Sequence, residues 1–101
     1  MTAESSSRVL FAEFTALPGK RAEVAALLQA FAHRVREEPG NVLFEASSRA
    51  DSPDSFFVYE EYRDAAAFDA HIGAEYGAQF NTALNPLIAE DHSRLTWLER
   101  I

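Results

Sequence analysis

Hydrophobic residues change their spacing several times along the chain, and each change marks an element. Residues 9–17 (VLFAEFTAL) are apolar at almost every position, broken only by Glu13 and Thr15, which predicts a strand buried on both faces. Pro18-Gly19 then turns the chain. From Lys20 the period becomes helical: Val24, Leu27, Leu28, Phe31 and Val35 fall on one stripe, with Glu23, Gln29, Arg34 and Arg36 mostly off it. Glu38-Pro39-Gly40 ends that helix, because the residue before proline disfavours the helical region and Pro39 has no N–H to give. Residues 41–50 and 55–63 read as strands joined by a short turn at Asp51-Ser52-Pro53-Asp54, so they should pair antiparallel. Asp64 is a fitting N-cap for a helix over 65–72, and Gly73 breaks it. A second helical stretch, 74–85, carries Tyr76, Phe80, Ala83 and Leu84 on one side. The last strand is 93–101, where Leu95, Trp97 and Ile101 alternate with Arg94, Thr96 and Arg100.

The order β, α, β, β, α, β with right-handed crossovers predicts an α+β fold of ferredoxin-like type, a four-stranded antiparallel sheet with its helices on one face. In the first and third strands Val9, Phe11, Phe57 and Tyr59 alternate with Leu10, Phe14, Phe56, Val58 and Tyr62. Both faces of the sheet are therefore apolar, and a homodimer is the simplest way to cover the face the helices leave bare.

Composition narrows the function. The chain has 101 residues, enough for one domain with a core but not for an additional cofactor domain; residues 1–7 read as a disordered tail and 8–101 as that domain. Nine Lys plus Arg against 16 Asp plus Glu give a net charge of −7, which argues against nucleic acid and anionic membrane as partners. No apolar run approaches the roughly 18 residues of a membrane span and the first residues lack a signal-peptide pattern, so a cytoplasmic protein is expected. There is no cysteine, which removes disulfides, thiolate nucleophiles and cysteine-held metals. His33, His71 and His92 show no metal-ligand spacing, so no metal is expected.

Three segments carry a resemblance: Pro18-Gly19-Lys20, then Glu38-Pro39-Gly40-Asn41, then Tyr59-Glu60-Glu61-Tyr62-Arg63-Asp64 followed by Ala67-Phe68 and His71. In this order and spacing, over residues 9–101, the chain resembles the antibiotic biosynthesis monooxygenase domain family, which includes quinol monooxygenases. The resemblance implies a dimeric α+β barrel and a monooxygenase that oxidises a hydroquinone or polycyclic phenol with O₂ and uses no metal, flavin or haem. It also allows an isomerase that moves a proton next to a carbonyl on a small metabolite; were that metabolite phosphorylated, Arg49, Arg63 and Arg94 would be the candidate cations. A non-enzymatic dimer that binds an aromatic ligand is the third reading. Haem-degrading members of the family carry Asn, Trp and a haem-ligating His at positions that here hold Ala12, His71 and Asn81, so haem degradation is not expected.

His71 is the leading site candidate. It shares a helical stripe with Asp64, Ala67, Phe68 and Ile72, which should turn it toward the sheet either as a core histidine or as the group that takes a phenolic proton. His33 and His92 read as surface residues. Tyr62 is expected to assist His71 in catalysis or to be a core aromatic. Tyr76 could direct a hydroxyl into the same pocket, Asn81 could supply a donor and an acceptor, and Phe14, Phe44, Phe68, Phe80 and Trp97 could wall a flat ring. Among Glu13, Glu60 and Glu61, on otherwise apolar strands, at least one should be partly buried, with an ion pair to Arg49, Arg63 or Arg94 at the dimer interface as the expected arrangement and paired-carboxylate chemistry as the alternative.

Overall fold

A computed structural model describes residues 7–101; most of the expected N-terminal tail lies outside them. The elements are β1 (Arg8–Thr15), α1 (Arg21–Val35), β2 (Asn41–Arg49), β3 (Ser52–Tyr62), α2 (Ala65–Ile72), α3 (Glu75–Leu84), a helical turn at Asn85–Leu87 and β4 (Arg94–Leu98). The four strands form one antiparallel sheet in the order β2-β3-β1-β4, the ferredoxin-like arrangement expected. Among the described residues, no helix is long and apolar enough to cross a membrane.

The two sheet faces differ. Leu10, Ala12 and Phe14 of β1, Phe44 of β2 and Phe56, Val58, Glu60 and Tyr62 of β3 are buried beneath the helices. On the other face Phe11 and Phe57 stack with ring centroids 4.8 Å apart, yet they and Tyr59 are only half-buried and Glu13 is exposed. The expectation that β1 is buried on both sides therefore holds for Val9 and not for the rest of its outer face.

One turn and one strand end differ from the sequence reading. Ser52, Pro53 and Asp54 belong to β3, and the hairpin turns at Ala50-Asp51 with a register shift between Ser48 and Arg49. Pro53 is tolerated because it lies at the start of its strand. The final strand ends at Leu98, and its residues are exposed along its whole length.

Two glycines set the geometry that matters for the site. Gly19 has φ +81°, the left-handed conformation that glycine adopts without strain, and it turns the chain from β1 into α1. Gly40 is buried against α2: a Cβ there would overlap the Cβ of Ala67. The Gly40 carbonyl accepts from the Arg63 N–H at 2.8 Å, and Arg36 donates twice to the Phe44 carbonyl, at 3.0 and 2.7 Å. These bonds fix the end of α1, with Glu38 just beyond it, against the start of α2.

Candidate active site

Asp64 caps α2 as expected, its carboxylate accepting the Ala67 N–H at 2.8 Å. That sets the phase of the helix and turns His71 inward, where it is 8% exposed. Ile72, expected on the same inner stripe, is 58% exposed because it lies one position, about 100°, further round the helix.

The imidazole sits between two carboxylates. Its Nδ1 lies 3.0 and 3.2 Å from the Glu38 oxygens, and its Nε2 lies 3.9 Å from Glu60 Oε1. The Tyr62 hydroxyl donates to Glu60 Oε1 at 2.7 Å, and the Tyr76 hydroxyl donates to Glu38 Oε2. Arg34 lies over the Tyr76 ring, 4.3 Å from its centroid, at the outer end of this chain of contacts. The acids stand on opposite sides of the ring, Glu38 within hydrogen-bond reach of Nδ1, which orients the imidazole, and Glu60 close enough to Nε2 to act on it by charge alone.

Burial sets the electrostatics. Loss of water pushes the Glu60 carboxyl up from its ordinary value, against the opposing pull of the Tyr62 hydrogen bond and of His71. The Tyr62 hydroxyl is also raised, first by burial and then by the Glu60 charge, so it remains a proton donor to Glu60. The Tyr76 hydroxyl is raised by burial and by its hydrogen bond to Glu38.

Beside His71 and Glu60 is a cavity of about 110 Å³. Phe14, Phe31, Phe44, Phe68 and Phe80 contribute aromatic walls and Leu10, Ala12 and Val58 of the sheet form the floor, so the helix-covered face lines it. Asn81, Ser93 and Leu95 stand toward its mouth, with Asn81 exposed. Phe31 and Phe80 stack with centroids 4.1 Å apart.

Not every expected residue reaches this cavity. Tyr62 is fully buried behind Glu60 and does not line it, since its hydroxyl is directed at the carboxylate. Tyr76 is directed at Glu38, on the far side of the imidazole. Trp97 is 50% exposed and packs edge-to-face with Phe68 of α2, centroids 4.8 Å apart, without entering the cavity, because β4 is an edge strand of the sheet and is exposed along its whole length. The partner of the buried strand carboxylate is also different: Glu60 faces Tyr62 and His71, while Arg49 bonds Asp51 and Arg63 lies near Asp64. Glu61, on the outer face, is the carboxylate that meets an arginine, Arg100, at 2.9 Å. Among the described residues, no arginine or lysine lines the cavity.

Glu38 went unrecognised in the sequence, where it reads only as the end of α1. Its sole signal is an acid directly before the Pro-Gly that stops the helix. A wider, open groove of about 610 Å³ runs between residues 7–9 and 97–100, but it contains no buried titratable group.

Comparison with known proteins agrees with this architecture. Residues 7–83 match the family model described as "Antibiotic biosynthesis monooxygenase". An uncharacterized protein of Synechocystis sp. is 32% identical over 73 residues, which is 72% of this chain and 50% of that protein, so the chain spans about half the length of the curated relative it matches. Among solved structures, PA3566 from Pseudomonas aeruginosa superposes with a TM-score of 0.87 at 24% identity, covering 97% of both chains. Rv0793 from Mycobacterium tuberculosis does so with a TM-score of 0.87 at 25% identity, covering 95% of this chain and 96% of that one. With the family model covering residues 7–83 and the βαββαβ sheet in place, the chain belongs to the antibiotic biosynthesis monooxygenase family.

Proposed function

We propose that this chain is a monooxygenase acting with O₂ on a single-ring hydroquinone bound in the cavity beside His71, and that it needs no metal, flavin or haem. One observation carries the reading: a buried imidazole, held at Nδ1 by Glu38, stands at the polar end of an aromatic-walled cavity of about 110 Å³. An engineered cavity of roughly 150 Å³ accepts benzene, so this space is near the size of one ring.

The chemistry asks little of the protein. A deprotonated hydroquinone is electron-rich enough to reduce O₂ itself. The O–O bond breaks, one oxygen atom forms a new C–O bond on the ring, and the other leaves as water with the two hydrogens the ring gives up; the product is the hydroxyquinone. His71 takes and holds the phenolic proton, the aromatic walls exclude water and orient the ring, and Tyr62 positions the polar end through Glu60. A phosphorylated substrate fits less well, because the candidate cations Arg49, Arg63 and Arg94 do not line the cavity. In this reading the protein works as a homodimer through the sheet face that carries Phe11, Phe57 and Tyr59, which supports a second copy as its cover.

Oxygen uptake with hydroquinone tests the reading, with mass spectrometry of the product and a parallel assay after exhaustive chelation. Stoichiometric uptake that survives chelation is expected. Ring binding without oxygen consumption would favour the non-enzymatic binder.

A further inference from the structure

Among the described residues, Glu60 is the one acid that lines the cavity, it is 5% exposed, and its two oxygens differ. Oε1 accepts the Tyr62 hydroxyl at 2.7 Å and faces His71 Nε2 at 3.9 Å. Oε2 has no hydrogen-bond partner among the described residues. It is not sealed off either, since the fully enclosed side-chain oxygen without a partner is Asn85 Oδ1. A buried carboxylate oxygen with spare acceptor capacity, set in a wall of phenylalanines, asks its ligand for a hydrogen-bond donor.

We propose that Glu60 is the specificity-determining residue of this cavity, accepting a hydrogen bond from a ring hydroxyl through Oε2 and so selecting rings that carry a donor over rings that carry only acceptors or a negative charge. The inference rests on the reading that the cavity takes an aromatic ring, and it adds a consequence: the reduced form of a quinone couple, with a hydroxyl on each ring oxygen, binds in preference to an oxidised form that turns a carbonyl toward Oε2. An ionised carboxylate accepts and cannot donate, so a quinone carbonyl facing Oε2 would leave two acceptors opposed. A ring that arrives already anionic brings no proton for His71 to take and would meet Glu60 with no arginine or lysine, among the described residues, at the wall to offset the repulsion.

The state of Glu60 depends on the groups that face it: Tyr62 on its own strand, His71 on α2, and beyond the imidazole Glu38 after α1 and Tyr76 on α3. Burial raises the Glu60 carboxyl, so the donor preference strengthens as pH rises through its titration.

Binding of phenol, methoxybenzene and benzoate to the whole chain, followed by chemical-shift titration at about pH 8, tests this without requiring turnover. Phenol is expected to bind at least about tenfold more tightly than methoxybenzene, the lower end of what a hydrogen bond to a charged group contributes, and benzoate to give no saturable shift. In Glu60→Gln, whose amide both donates and accepts, phenol and methoxybenzene should converge. The panel on the parent protein decides the matter even if that variant fails to fold. Equal binding of phenol and methoxybenzene to the parent would overturn the role of Glu60 while leaving the aromatic cavity intact. If none of the rings binds, the cavity reading and this inference fall together. Selective phenol binding with no oxygen uptake on hydroquinone would sustain the inference and sink the monooxygenase reading.

Discussion

His71 Nδ1 lies 3.0 Å from Glu38 Oε2, although 33 residues separate the two in the chain. Such a contact makes the imidazole directional, with Nδ1 committed to the carboxylate and Nε2 left toward Glu60 and the cavity. Replacing His71 by Ala should cost at least about 100-fold in the turnover number for hydroquinone at saturating substrate, within the range a positioned acid or base contributes. His33→Ala should match the parent, since His33 is exposed on α1 and its ring nitrogen faces Glu37 at 3.7 Å, away from the cavity. Should His71→Ala retain its turnover number and lose only thermal stability, His71 would be a core residue and no more.

The architecture was legible because it is written in local patterns. The change from the near-continuous apolar run of β1 to the helical stripe of Val24, Leu28 and Val35 is a matter of neighbouring residues, as is the Asp64 cap. His71 was legible for the same reason, since three and four residues along a helix define a face. Glu38 was not, because its role depends on how the end of α1 docks against α2, which no periodicity encodes. The buried strand carboxylate departs from the expected arginine for a related reason: a buried carboxylate seeks compensation, but the Tyr62 hydroxyl and the nearby His71 imidazole stand where an arginine would, and they offset its burial only in part. Trp97 looked like a wall of the pocket because alternation gives the face of a strand and not its depth beneath the helices.

Gly40 should be intolerant of a side chain. An alanine Cβ there overlaps the Ala67 Cβ, and since α2 carries His71, moving it apart would also disturb the contact with Glu38. Gly40→Ala is expected to cost about 1 to 3 kcal/mol in urea denaturation and to weaken the hydrogen-bonded Nδ1 proton signal of His71 in NMR spectra. Adding Ala67→Gly should restore that signal and part of the stability. An unperturbed Gly40→Ala protein would show that α2 has room to spare.

The outer sheet face should hold two copies together. Phe11 and Phe57 stack there and both remain partly exposed, so light scattering at micromolar concentration is expected to give twice the 11.2 kDa chain mass. Phe57→Glu places a charge in the middle of that surface and should shift the protein toward the single-chain mass. A parent protein that scatters as 11.2 kDa would exclude the dimer.

Glu60 should make the protein less stable at neutral pH than an isosteric neutral residue would. Its folded-state carboxyl is raised above the ordinary value of 4.5, with burial as the first cause. From that value upward the unfolded chain has released the proton while the folded chain still holds it. Stability contributed by the protonated, buried form is therefore lost as pH rises through the folded titration, and a cost of burying the charge remains above it. Glu60→Gln does not titrate, and its amide oxygen can still accept the Tyr62 hydroxyl. The melting temperature of the parent should accordingly fall relative to that of Glu60→Gln as pH increases from about 4.5 toward neutrality, the two curves running parallel at higher pH. Curves that stay parallel across the whole range would mean that Glu60 titrates alike in the folded and unfolded chains. A parent curve that rises relative to the variant would mean that His71 and Tyr62 outweigh the desolvation of the carboxylate.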